Sequence, residues 1–382
     1  MALVGLLVLS ALVIALAALS GTDPVVAGNH YRAAVARAMA ESGLEWVLWA
    51  LGTGHGGLDA AALAPGQVAA APHDGTSFTA LGDGGGFTVK VSGVSPTEVQ
   101  VDAVGWTPGL LDRAAVHRRV RARVMRLPDL GRETACAVCV RGDLEVRDSA
   151  VVSAAADTSC GAKAGAAATG STTVAGEARV YGADGNDWPN QAADLIAGVA
   201  GARLDRLALD DAALAVLRSL ARTNGTYYGP GSPPPGETTW TGRMVFDAGN
   251  PVARDGIVFV DTVSGRPPAA LDPGDHAAVE FRGDPFPTGR FRGWIVVMGR
   301  VTSFDAVGSL HGLLYAADTV ALTGRADVQG LIAAGLGPGA APAATVIGGL
   351  ATVTFDCAAA RGAGRLPRGW LVKPGSYREV SD

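Results

Sequence analysis

Four cysteines, Cys136, Cys139, Cys160 and Cys357, are the side chains whose type and spacing offer the most chemistry. Cys136-Ala-Val-Cys139 has the C-x-x-C spacing of a redox dithiol. That chemistry needs a helix N-terminus to depress one thiol pKa. The flanks read Thr134-Ala-Cys-Ala-Val-Cys-Val-Arg141 and alternate as a strand does. A zinc site of four thiolates would need a second close pair, and Cys357 is distant. The cysteines are therefore read as disulfide formers, with a bridge involving Cys160 expected. Four cysteines allow three full pairings, and spacing does not choose among them.

The carboxylates and histidines offer less. Asp272, Asp275, Glu280 and Asp284 form the best local acidic cluster, as a hydrolase acting on a polysaccharide would need. The simpler expectation is solvation at strand edges. Asp184-Gly-Asn-Asp187 lacks the later acidic ligands of a calcium loop and reads as an Asx turn. The six histidines, 30, 55, 73, 117, 276 and 311, are scattered, and none pairs with another at metal spacing. Gly52-Thr-Gly54-His-Gly-Gly57 matches G-x-G-x-x-G in letters. It closes a helix instead of joining a strand to one, so it is not a dinucleotide loop. Asn224-Gly-Thr226 is a glycosylation sequon where the host glycosylates. No catalytic residue, cofactor or metal site is assigned, and the chain is expected not to be an enzyme.

The elements that would position these residues are mostly strands. Residues 87–91, 98–104 and 116–127 alternate apolar and polar, which predicts a small antiparallel sheet with one polar face. The arginines of 116–127 are read as that solvated face. Farther on, glycines open short apolar runs at 256, 274, 293, 312, 330 and 349, at spacings of 18, 19, 19, 18 and 19. One strand core per unit of about 18 residues predicts the coils of a β-solenoid, each burying its inner face on the next. Looser copies begin at Gly142, Gly161 and Gly176. Residues 187–245 interrupt the repeat, with helices expected over 190–200 and 210–222 and Asp210 as an N-cap. The polyproline stretch 229–236 can be neither helix nor central strand.

At the N-terminus, residues 1–22 carry no charge. Twenty such residues of helix would cross a bilayer's hydrocarbon core. Leu44, Val47, Leu48 and Leu51 continue at helical spacing, as do Tyr31 and Val35, while Arg37, Glu41 and Glu45 mark an opposite face. Pro24 is expected to bend this helix and Gly52 to cap it. No Lys or Arg precedes Arg32, so the run reads as a retained anchor and not a signal peptide. The fold class is thus mainly β, in three parts. Residues 1–52 form a transmembrane and stem helix, and 53–128 a small antiparallel domain. Residues 129–382 form a β-solenoid with its insertion. The whole chain has 31 basic and 36 acidic residues, a formal net charge of -5, which excludes a nucleic-acid binder in need of a basic face.

The stretch from Ala2-Leu-Val-Gly-Leu-Leu-Val-Leu-Ser-Ala-Leu-Val through Val26-Ala-Gly-Asn-His-Tyr-Arg to Ala40-Glu-Ser-Gly-Leu-Glu45 resembles the N-terminal helix of PilX-like type IV pilus minor pilins. The glycine-punctuated repeats resemble bactofilin-like repeats. The resemblance implies a structural subunit of a pilus or related assembly system, minor or at the tip. Its partners would be membrane lipid and other pilin-like subunits through the helix. It also implies a single pass in a bacterial inner membrane, with the ectodomain in the periplasm or on the surface. Gly5 stands where major pilins carry a docking glutamate, which argues against a filament-building subunit. The short basic leader of such proteins is expected upstream. The alternatives are a membrane-tethered adhesion or polymer-forming solenoid and, third, a tethered carbohydrate-active enzyme.

Overall fold

A computed structural model describes residues 2–95, 97–109, 115–183, 188–252, 255–266, 274–337, 344–366 and 369–380, with side chains from residue 26 on, Asp83 and Ala202 apart. It is mainly β, with 40% of residues in strands and 19% in helices. Two compact units divide the chain. The first joins residues 1–127 to 369–382, and the second is the intervening segment 128–368. The second unit is therefore inserted in sequence into the first. The C-terminal strands at 370–372 and 378–380, expected in the solenoid, instead join the antiparallel sheet.

In the first unit, helix α1 (Ala2–Thr53) precedes strands β1 (Asp74–Ala80), β2 (Gly86–Ser95), β3 (Glu98–Thr107) and β4 (Val116–Arg126). These pair antiparallel in the order β1-β2-β3-β4. Ala36, Ala40, Leu44, Val47 and Leu51 recur at helical spacing and are buried. They meet Phe87, Val89, Val91, Val99, Val101, Val120 and Val124 from alternate positions of the strands. Gly105 of β3 makes the contact close, because a side chain there would overlap the Ala36 carbonyl and the Ala40 amide. Of the expected stripe, Leu48 is only partly buried and Tyr31 is 71% exposed. The helix ends two residues later than expected, with Gly54 at φ 71 beyond Thr53 in the place expected of Gly52. Its Arg37–Glu41 pair forms, at 3.0 Å.

The expected single-pass inner-membrane location is corrected by this structure. Among the described residues no helix is long and apolar enough to cross a membrane. A span needs about 20 predominantly apolar residues. The described side chains of α1 include Arg32, Arg37, Glu41 and Glu45, spaced too closely to leave such a run.

The second unit is built from parallel strands. Its first segment holds α2 (Leu130–Glu133) and β5 (Cys136–Val140), β6 (Leu144–Val146), β7 (Val151–Ser153), β8 (Ala164–Ala168), β9 (Thr172–Val174), β10 (Arg179–Tyr181) and β11 (Leu195–Ile196). Helices α3 (Gly201–Asp205) and α4 (Asp211–Asn224) follow. Then come β12 (Tyr227–Tyr228), β13 (Arg243–Phe246), β14 (Gly256–Val260), β15 (Ala277–Gly283), β16 (Arg290–Val297) and β17 (Gly299–Ala306). Strands β18 (Ser309–Ala316), β19 (Val320–Leu322), β20 (Asp327–Ala334), β21 (Thr345–Ile347) and β22 (Thr352–Thr354), with α5 (Cys357–Ala360), complete it. The last strands, β23 (Trp370–Val372) and β24 (Arg378–Val380), pair with β4 in the first unit.

Successive strands alternate between two parallel sheets, one running β12-β14-β16-β18-β20 and the other β13-β15-β17-β19-β21-β6-β9. At β20 the first sheet divides, its first half pairing β22 and its second half β5. The chain's earlier segment is thereby stacked on the end of its later one. Strand β22 lies between β20 and β7, β5 between β20 and β8, and β6 between β21 and β9. Identical positions stack in ladders. Phe246, Phe281 and Phe304 align and are all buried, with ring centroids 5.1 and 4.6 Å apart.

The glycine repeat is real at four of its six positions. Gly256, Gly293, Gly312 and Gly330 pair in register. A side chain on any of the last three would overlap the carbonyl oxygen of the glycine one strand earlier. Gly274 and Gly349 lie instead in turns ahead of β15 and β22. The interval from 256 to 293 is a single step lengthened by the loop ahead of β15. That loop's length happens to double the period.

The interruption also differs from expectation. Residues 190–200 are not helical. Asn190 adopts φ 64 and its side chain accepts from Val180 N and donates to the Ala178 carbonyl. Leu195 and Ile196 then pair with β8. Helix α4 forms as expected, and Asp210 caps it by accepting from Ala213 N at 2.7 Å. Arg218 fastens it with a bidentate ion pair to buried Asp261, at 2.6 and 2.9 Å.

Candidate functional site

The cysteines form two disulfides, Cys136–Cys139 and Cys160–Cys357. No thiolate is left for zinc, and among the described residues no group of His, Cys, Asp or Glu could hold a metal ion. Cys136 and Cys139 are wholly buried on β5, as the strand-like flanks implied, so the pair is no redox dithiol at a helix end. Cys160 and Cys357 are 197 residues apart in sequence, with Cα atoms 6.0 Å apart. They tie the loop between β7 and β8 to α5, next to the place where β22 meets β7. Asp157 supports this junction by accepting from Cys357 N at 2.7 Å. Its carboxyl is held below the usual carboxylate range by bonds from Ser159 and Cys357.

The described members of the acidic cluster, Asp275, Glu280 and Asp284, are engaged or placed separately. Asp272 and the calcium-like stretch 184–187 lie outside the described residues. Asp275 accepts from Ser264 N and Oγ at 2.7 and 2.6 Å, closing a turn. Asp284 is exposed, and Glu280 is 3.8 Å from Arg282. A two-carboxylate hydrolytic site would require a facing pair about 5–10 Å apart, free to act on substrate. Asp275 is committed to its turn instead.

A different constellation is assembled by the β13-β15-β17 sheet. Arg243 pairs in register with Ala278, and Ala278 with Arg300. One step along, Val245 pairs with Glu280. These outward positions floor a cavity of about 370 Å³, walled by Thr241, Val263, His276 and Thr302. A second, more open cavity of about 660 Å³ shares Thr241, Arg243 and Val245 and runs along the polyproline loop to Asn250. Trp240 pins that loop by donating from its indole N–H to the Thr262 carbonyl at 2.8 Å.

His276 is the least expected member. Its ring is only 3% exposed and its Nδ1 lies 3.1 Å from Asp318 Oδ2, 42 residues away. A carboxylate only accepts, so Nδ1 carries the hydrogen of this bond. The ring's other nitrogen, Nε2, is buried without a hydrogen-bond partner. A buried imidazole nitrogen left open costs free energy unless something completes it. No local signal marks this pair, since Gly299 stands between them at the intervening strand and neither neighbours the other in sequence. Arg243 and Arg300 are exposed and make no ion pair among the described residues.

No family model, no curated protein and no solved structure matches this chain.

Proposed function

We propose that this protein is a structural, non-catalytic subunit of a pilin-like assembly, joined to its neighbours through α1, and that its parallel unit is a β-solenoid. The observation that carries the assembly reading is the distribution of burial along α1. Among the described side chains its buried stripe begins at Ala36, while residues 26–35 are helical and none is buried. Tyr31 and Val26 present apolar surface there, 71% and 50% exposed. A helix fastened to a sheet over part of its length, with an unburied stretch carrying exposed apolar side chains just before it, suits lateral packing against helices of its own kind. The pilin-like resemblance of that same stretch supports the choice of partner.

Cysteine substitutions at Val26 and Tyr31, crosslinked in the cells that make the protein, test this. Adducts with other helix-bearing subunits, and the protein in sheared filament fractions, are the expected result. Monomer alone in both assays would overturn it. The solenoid reading rests on the in-register stacking of Gly256, Gly293, Gly312 and Gly330. A solenoid tolerates an added coil, because each repeat contacts only its neighbours. Duplicating residues 293–311 should therefore leave a cooperatively folded protein; an unfolded product would count against the coil.

A further inference from the structure

We propose that the cavity over β13, β15 and β17 binds an acidic sugar, a hydroxylated ring bearing a carboxylate, as a unit of an oligosaccharide. Two guanidiniums flank its floor. Arg243 and Arg300 lie two strands apart, about 10 Å between backbones, with only the methyl group of Ala278 between them. That spacing lets both side chains lean over one small anion, and guanidinium groups match carboxylate geometry. Glu280 lies on the same surface, so two positive charges face one negative charge. The balance favours a ligand with a single negative charge over a phosphate dianion.

The remaining groups select hydroxyls. His276 Nε2 is buried, unpartnered and on a ring that lines the cavity. Its orientation is fixed by Asp318 at the other nitrogen, an arrangement that holds an imidazole in place for a ligand. Glu280 accepts hydrogen bonds, and Thr241 both donates and accepts. An anion without hydroxyls would leave His276 Nε2 unanswered. The adjoining cavity that shares Arg243 and Thr241 continues the surface past one ring and is also lined by Glu237 and Asp247, so a further unit lying along it would be a neutral sugar. The site lies wholly in the second unit and does not depend on assembly through α1.

The methyl glycoside of galacturonate, which carries one negative charge, titrated calorimetrically into the full-length protein, is the probe, with its methyl ester as the uncharged counterpart. Saturable binding of the acid, at least tenfold weaker binding of the ester, and at least a tenfold loss in R243A/R300A are expected. Both arginines are exposed, so that variant keeps the fold, which its melting curve checks. H276A should weaken binding about fivefold or more. Nitrogen NMR of His276 should show Nδ1–H in the free protein and a shift of Nε2 on adding the acid. Absence of binding at millimolar methyl galacturonoside, equal binding of the ester, or undiminished binding by R243A/R300A would each overturn the proposal.

Discussion

Single residues hold the second unit closed and make the first one pH-sensitive. The Cys160–Cys357 bridge closes a loop of 197 residues. In the chain-entropy picture such a loop is worth about 5 kcal/mol, against about 2 kcal/mol for the short Cys136–Cys139 loop. C160S/C357S should therefore lower the denaturant midpoint of the second unit far more than C136S/C139S, read by equilibrium unfolding. The presence of disulfide-forming cysteines was legible from their number and their strand-like flanks. Their pairing was not, because proximity across 197 residues leaves no mark on either local sequence. In the first unit, His73 is buried, stacks on Trp46 at a centroid distance of 4.8 Å, and has an unpartnered Nε2. Burial first, and the nearby His55 second, push its pKa below the ordinary imidazole value, with Asp74 opposing. The unfolded chain then takes up the proton more readily. Stability should be full above pH of about 6.5 and fall as pH drops through it, levelling off below the lowered folded value. H73F keeps the stacking and should flatten that part of the melting temperature against pH.

Among the elements, the ladders decide how much a substitution costs. Phe281 sits between Phe246 and Phe304 and touches both rings. F281A should cost about 3–5 kcal/mol by removing a large buried ring from a row that cannot collapse strand by strand, measured by chemical denaturation. Alternation showed the strands β2, β3 and β4, because half-buried strands write a period of two into the chain, although β2 runs four residues past the expected 91 and β3 three past the expected 104. Helix α4 was legible for a similar reason, with Asp210 supplying a cap. The helix expected over 190–200 failed because Asn190 spends its side chain on the backbone of β10, a bond that no helical pattern records. The arginines of β4 do form a polar face, and several of them are partnered across it. Arg121 meets Asp102 at 2.5 Å, and Arg123 meets Glu98 at 3.4 Å.

For the molecule as a whole, the order of the chain and the order of the strands part company. The second unit is inserted between β4 and β23, and Arg126 is the register partner of Trp370. A turn of about four residues could close that gap in an antiparallel hairpin. Deleting 128–368 and joining 127 to 369 by such a turn should leave the α1-and-sheet unit folding cooperatively, checked by near-ultraviolet circular dichroism and a single melting transition. Within the inserted unit, the earlier segment stacks on the later through β22–β7, β20–β5 and β21–β6. The glycine period was visible from sequence, and so was the apolar face of α1, since each arises from neighbours within one or two turns of chain. The rest required the folded molecule. The stacking of the earlier parallel strands on the later ones, the Cys160–Cys357 bridge and the His276–Asp318 pair all join residues tens to hundreds of positions apart. Such contacts follow from where the chain returns in space, and local periodicity carries no record of that return.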